Sequence, residues 1–123
     1  MDNDIDHPTH YNRRNIGCEC IDLAKYQCFC TGNVIKYLWR HKSKGHPVED
    51  LKKARWYAHR AHMMQETVDL DSGCCRTILL RLIETTSGSE SAAWTGLLKS
   101  RWIIVISALD AMIERMKNDT QTH

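Results

Sequence analysis

Two prolines and one phenylalanine are all this 123-residue chain holds of those residues, and nowhere do apolar and polar residues alternate as in a half-buried strand. A β-sheet is therefore not expected. No apolar run approaches the roughly 18 residues of a membrane span. The longest, Trp102-Ile103-Ile104-Val105-Ile106, is far too short. Met1-Asp2-Asn3-Asp4 is acidic and no apolar segment follows, so no signal peptide is expected and the expected location is the cytoplasm. G-x-x-x-x-G-K-[S/T], G-x-G-x-x-G and G-x-S-x-G are all missing. An ordinary P-loop kinase, a Rossmann enzyme and an α/β-hydrolase are thereby excluded.

What is present is ordinary in bulk and uneven in detail. Hydrophobic residues make up 42% and charged residues 26%, enough for a core in one domain without disulfides. Six cysteines occur: Cys18, Cys20, Cys28, Cys30, Cys74 and Cys75. In a reducing compartment they read as thiols packed in or near the core. The set Cys18/Cys20/Cys28/Cys30 has the C-x-C spacing of a metal site on paper, but zinc knuckles prefer C-x₂₋₄-C on turns. No metal is expected.

The apolar spacing predicts an all-α chain, a small bundle of about five helices. A first short helix is expected over 16–26, from Ile16, Cys20, Leu23 and Ala24. A second runs to about His41 with Val34, Ile35 and Leu38 inward, and Thr31 as its candidate N-cap. Pro47, followed by Glu49 and Asp50, opens a third helix to about Glu66, with Leu51, Ala54, Ala58 and Ala61 inward. After a connection over 68–73, a fourth helix spans 75–85. A last helix is expected over 92–117, capped by Ser89 or Ser91, carrying Leu98, Trp102, Val105, Leu109, Met112 and Met116 at 3-4 spacing. Residues 1–66 read as one helical domain. Residues 67–123 read as a C-terminal helical hairpin that could serve in oligomerisation.

The charge is concentrated. Between residues 36 and 60 lie eight Lys or Arg and two acids, a local charge of +6 in a chain of net +2. Concentrated cations mark where an anion goes. Lys36 and Arg40 share a helix face, and Lys42, Lys44 and His46 follow in the next turn; such a set can give a phosphate several charge-assisted bonds. Tyr37, Trp39 and Trp56 lie among them, as ring-stacking groups or as core. Lys52, Lys53, Arg55, His59 and Arg60 form the outward side of the third helix. The small total charge and the missing helix-turn-helix pattern argue against duplex nucleic acid. Glu19-x-x-Asp22 is too few carboxylates for a magnesium cage and reads as helix-end pairing. His10 and His46 are the histidines to test as phosphate contacts or proton carriers.

Five segments carry a resemblance. They are His10-Tyr11-Asn12, Glu19-Cys20-Ile21-Asp22, Phe29-x-x-Gly32-Asn33-x-Ile35-Lys36-Tyr37-x-x-Arg40, Lys44-Gly45, and Glu49-Asp50-Leu51-Lys52-Lys53-Ala54-x-Trp56-Tyr57. In order and spacing they resemble a small bacteriophage family, domain of unknown function 3310, often labelled nucleotide kinase. The likeness covers residues 7 to about 62. The turn over 41–46 departs from the small or glycine-rich turn usual in that family, and residues 67–123 lie outside it.

The resemblance implies a phage-encoded nucleotide-binding protein of the infected host cell. Its expected activity is phosphoryl transfer to a deoxynucleoside monophosphate without a P-loop, and its ligands would be ATP and a nucleoside monophosphate, with no further cofactor. Lys36, Arg40 and Lys44 would neutralise phosphate, with Lys52 beside them. Asn33 and Tyr11 would bond base or sugar, and Tyr37 or Trp56 would stack on the base. His10, His46, Lys36 and Arg40 are the candidate catalytic groups. Two rival readings keep the pocket or discard it. One is a non-catalytic sponge for a nucleotide or cyclic-nucleotide signal of host defence. The other is a helical module that binds a host protein, with homo-oligomerisation expected in either case.

Overall fold

The computed structural model describes residues 14, 16–43 and 45–122, with side chains to 119. Among them are six helices and no strand: α1 (Cys20–Ala24), α2 (Phe29–Arg40), α3 (Pro47–Met63), α4 (Cys75–Thr85), α5 (Gly88–Leu98) and α6 (Trp102–Thr122). The fold is small and all-α. None of these helices is long and apolar enough to cross a membrane.

α2 and α3 are amphipathic and pack against each other. α3 also lies along α6, and α5 packs on both α4 and α6. One continuous core results. It takes Val34, Ile35, Leu38 and Trp39 from α2, Leu51, Ala54, Ala58 and Ala61 from α3, and Leu79, Leu82, Trp94, Leu97, Val105 and Leu109 from the later helices. The alanine line of α3 lets its neighbours approach closely, so a helix of low mean hydropathy still seats in the middle of the bundle. α3, packed on both α2 and α6, thus joins the helices before residue 66 to those after it through shared core.

Three boundaries differ from the sequence expectation. The helix expected over 16–26 shrinks to Cys20–Ala24. Gly17 before it takes a positive φ of 82°, and Gln27 after it is held by the loop at Asp69: the Gln27 side-chain amide donates to Asp69 O at 3.0 Å and its oxygen accepts the Asp69 N–H at 2.8 Å. α2 begins at Phe29, with Cys28 rather than Thr31 at the N-cap. Thr31 lies one turn in, and its N–H and hydroxyl both donate to Glu66 Oε1, at 2.8 and 2.6 Å. A carboxylate from beyond α3 therefore closes the positive end of α2.

The third correction is that the single last helix is two. α5 ends at Leu98, and α6 starts at Trp102. Ser100 takes a left-handed φ of 52°, and the Arg101 N–H closes back on Gly96 O at 2.8 Å. The hydroxyl of Ser100 accepts the Val68 N–H at 2.9 Å, which ties the break to the α3–α4 connection. The N-cap position of α5 is Ser87, not Ser89 or Ser91.

Candidate functional site

The outer face of the α2–α3 pair gathers cations around an aromatic row. Tyr37 is half-buried and stacks nearly parallel on Tyr57, with centroids 6.0 Å apart and planes at 11°. Tyr57 meets Trp56 edge-to-face at 5.0 Å and Phe29 edge-to-face at 6.0 Å. Three cations surround the Tyr37 ring. The Arg40 guanidinium lies 4.9 Å from its centroid, Lys36 Nζ 5.1 Å and Lys53 Nζ 5.4 Å. At the far end of the row the Arg60 guanidinium lies 5.6 Å from the Trp56 ring.

Local sequence accounts for each placement. Lys36 and Arg40 are one turn apart on α2 with Tyr37 between them, and Lys53, Trp56, Tyr57 and Arg60 follow the same rule on α3. The buried stripes of both helices turn this face outward. Trp56 is 57% exposed and Phe29 74% exposed, so their rings meet solvent.

Asp50 fixes one cation. It is 2% exposed, and its Oδ1 accepts from Arg40 Nε at 3.2 Å and Nη2 at 3.1 Å. Its Oδ2 is buried and has no hydrogen-bond partner among the described residues. Arg40 is thereby oriented by a carboxylate on one side and by Tyr37 on the other. No described carboxylate pairs with Lys36 or Lys53, whose charge stays available to an incoming anion.

The expected site residues therefore divide. Lys36, Tyr37, Arg40 and Trp56 come together, Trp56 on the surface and Trp39 in the core. Asn33 donates to Phe29 O one turn back at 2.9 Å, at the edge of the same face. Lys52 is exposed and makes no cation–ring contact among the described residues. His46 is exposed and faces Glu49 at 3.8 Å. Lys42 turns to Glu90 at 2.9 Å and serves packing between α2 and α5. His10, Tyr11 and Lys44 lie outside the described residues. Lys53, Tyr57 and Phe29 were not among the expected ligand groups, although the i, i+4 relation of Lys53 to Tyr57 was available to point to them.

A second charged cluster sits inside the bundle, where the C-terminal end of α2 meets the start of α5. Glu90 is buried and bonded to Arg14 at 2.6 Å, to Lys42 at 2.9 Å and to Trp94 Nε1 at 3.1 Å. Arg14 lies between the Trp39 and Trp94 rings, 5.7 and 5.4 Å from their centroids, and donates to Leu38 O and Trp39 O at the end of α2. His41 Nδ1 lies 2.6 Å from Leu38 O, and its Nε2 is 4.0 Å from Glu90. Burial alone would raise the Glu90 carboxyl, but Arg14, Lys42, His41 and Trp94 together hold it below its ordinary value. Burial pushes the His41 imidazole down and outweighs its bond to Leu38. Arg14, Glu90 and His41 are bonded to one another and to the end of α2, so the cluster holds helices together.

The six cysteines are free thiols. Cys20 is half-buried, and desolvation pushes its thiol up to about 12, which leaves it protonated and inert at neutral pH. Among the described residues no three or more of His, Cys, Asp and Glu are placed to hold a metal ion. Asp22 accepts the Glu19 N–H at 2.8 Å and so helps close the start of α1.

No curated protein and no solved structure matches the chain. Residues 5–59, which carry α1, α2 and most of α3, match the family model described as a protein of unknown function, DUF3310.

Proposed function

We propose that this chain binds a nucleotide on the outer face of α2 and α3. One observation carries the reading: three cations from two helices surround a single half-buried ring, two of them without a carboxylate partner among the described residues, next to an exposed tryptophan. Lys36 and Lys53 would take the phosphate, with Arg40 held in place by Asp50. Trp56 would take the base, because its ring is exposed while Tyr37 and Tyr57 are half-buried against each other. Charge-assisted bonds to phosphate and stacking on an aromatic face are additive in a ligand that carries both.

The finer proposal is transfer of a phosphoryl group between nucleotides. Such transfer asks the protein mainly for positioning and for neutralisation of developing charge. Lys36, Arg40 and Lys53 are suited to the second task. Binding is the better supported half of the proposal, since the only carboxylate described in the row, Asp50, is buried and committed to Arg40.

The test is tryptophan fluorescence. The other three tryptophans, Trp39, Trp94 and Trp102, are buried. ATP and deoxynucleoside monophosphates should quench the Trp56 emission, and Trp56→Phe should remove that response. No saturable quenching and no calorimetric binding would overturn the proposal. A coupled assay with ATP and dGMP or dTMP then separates transfer from binding: saturable binding with no diphosphate product would leave a non-catalytic binder.

A further inference from the structure

The aromatic row has more stacking surface than one nucleotide uses. Tyr57 is flanked on one side by Phe29 and on the other by Trp56, and both outer rings are well exposed. The cations are also split. Lys36, Arg40 and Lys53 gather at Tyr37, while Arg60 lies against Trp56. A mononucleotide has one base and one phosphate-bearing end, so it would leave one ring and one cationic end empty.

We infer that the α2–α3 face binds single-stranded nucleic acid, with successive bases on Phe29 and Trp56 and backbone phosphates at Lys36/Lys53 and at Arg60. The inference rests on the phosphate subsite proposed above and extends it to a ligand of two or more linked nucleotides. Exposed rings interleaved with cations are how proteins hold single strands without reading sequence, because every base offers a π face. Three acids of this region are already engaged: Asp50 is buried against Arg40, Asp110 is paired with Arg55 at 2.8 Å, and Glu66 accepts from the Thr31 N–H and hydroxyl. The four cations along the row, Lys36, Arg40, Lys53 and Arg60, fit a polyanion better than a single phosphate. A duplex hides its base faces in the stack, so the exposed rings select against it.

The experiment is fluorescence anisotropy at low salt with a labelled thymidine strand of roughly eight nucleotides, inside the usual site-size range. Competitors are unlabelled dTMP and a duplex of equal length. The single strand should bind at least tenfold tighter than dTMP and tighter than the duplex. Phe29→Ala and Trp56→Ala should each weaken it by about five- to a hundredfold. Both side chains are exposed, and unchanged thermal melting of each variant confirms that the fold is intact. Equal affinity for dTMP and the strand would overturn the inference and leave nucleotide binding standing. Strand binding that survives both ring variants, or a duplex that competes as well as the strand, would also overturn it. If neither dTMP nor the strand binds, both readings fall.

Discussion

Lys53 of α3 reaches across the helix pair and places its ammonium 5.4 Å from the centroid of Tyr37 on α2. Its sequence neighbour Lys52 is equally charged and exposed but makes no cation–ring contact among the described residues. The two lysines therefore separate a local site from a diffuse basic surface. Lys53→Ala and Lys36→Ala should each weaken nucleotide binding by about 1.5–3 kcal/mol, the worth of a charge-assisted bond. Lys52→Ala should change it by less than about 0.5 kcal/mol, as for most surface substitutions. Titration of the Trp56 emission measures all three. Equal losses from Lys52 and Lys53 would mean that only overall charge matters.

Glu90 is a different kind of residue. It anchors Arg14, Lys42 and the Trp94 indole where the start of α5 meets the end of α2. Glu90→Gln keeps the shape and removes the charge, which leaves the Arg14 guanidinium between two indoles without its counter-ion. Removing one partner of a buried pair typically costs about 3–5 kcal/mol. Chemical denaturation should show a loss of that order, while nucleotide affinity of the folded variant stays unchanged. A loss under about 1 kcal/mol would show that water already screens this pair.

The helix faces were readable from the sequence because apolar spacing is a local signal. The Val34, Ile35 and Leu38 stripe, the Pro47 start and the Leu51 to Ala61 line all appear as expected. Breaks held by distant groups were not readable. Ser100 stands where a glycine usually marks a helix end, and its left-handed turn is supported by the Val68 N–H from another element. Thr31 reads as a cap, yet Glu66 supplies the capping oxygen. At the site, cations one turn apart on α2 were legible, whereas Lys53 joins them only through the packing of α3 on α2. Lys42 belongs by sequence to the same charge run, but Glu90 claims it from α5.

Gly32 and Gly96 both sit inside helices and should respond to alanine with opposite sign. A Cβ on Gly32 would find its nearest neighbour, Ala24 O, at 3.4 Å, an ordinary contact. Gly32→Ala should stabilise the fold by about 0.5–1 kcal/mol through reduced backbone entropy of the unfolded chain. A Cβ on Gly96 of α5 would meet Val105 Cγ2 at 2.8 Å and Val105 N at 3.0 Å on α6. Backbone cannot move aside as a side chain can, so Gly96→Ala should destabilise by about 1–3 kcal/mol. Urea midpoints of the two variants on either side of the parent would bear this out, and a shift of both in one direction would refute it.

Acid should unfold the protein in two stages, because both titrating groups of the buried cluster have lowered values. Burial holds His41 below its ordinary 6.5, so below that pH the unfolded chain binds a proton that the folded chain resists. Stability contributed by neutral His41 is present above pH 6.5 and lost as the pH falls toward the folded value. Glu90 is held below its ordinary 4.5, so its contribution is present above pH 4.5 and lost as the pH falls through its folded value. The melting temperature should thus be flat near pH 8, decline below about 6.5 and decline further below about 4.5. His41→Gln should remove most of the upper decline, since Gln carries no titrating proton and its amide can still donate to Leu38 O. Persistence of that decline in the variant would assign it to other histidines. Glu90→Gln should flatten part of the lower decline, from a reduced starting stability, because the charge that acid removes is already gone.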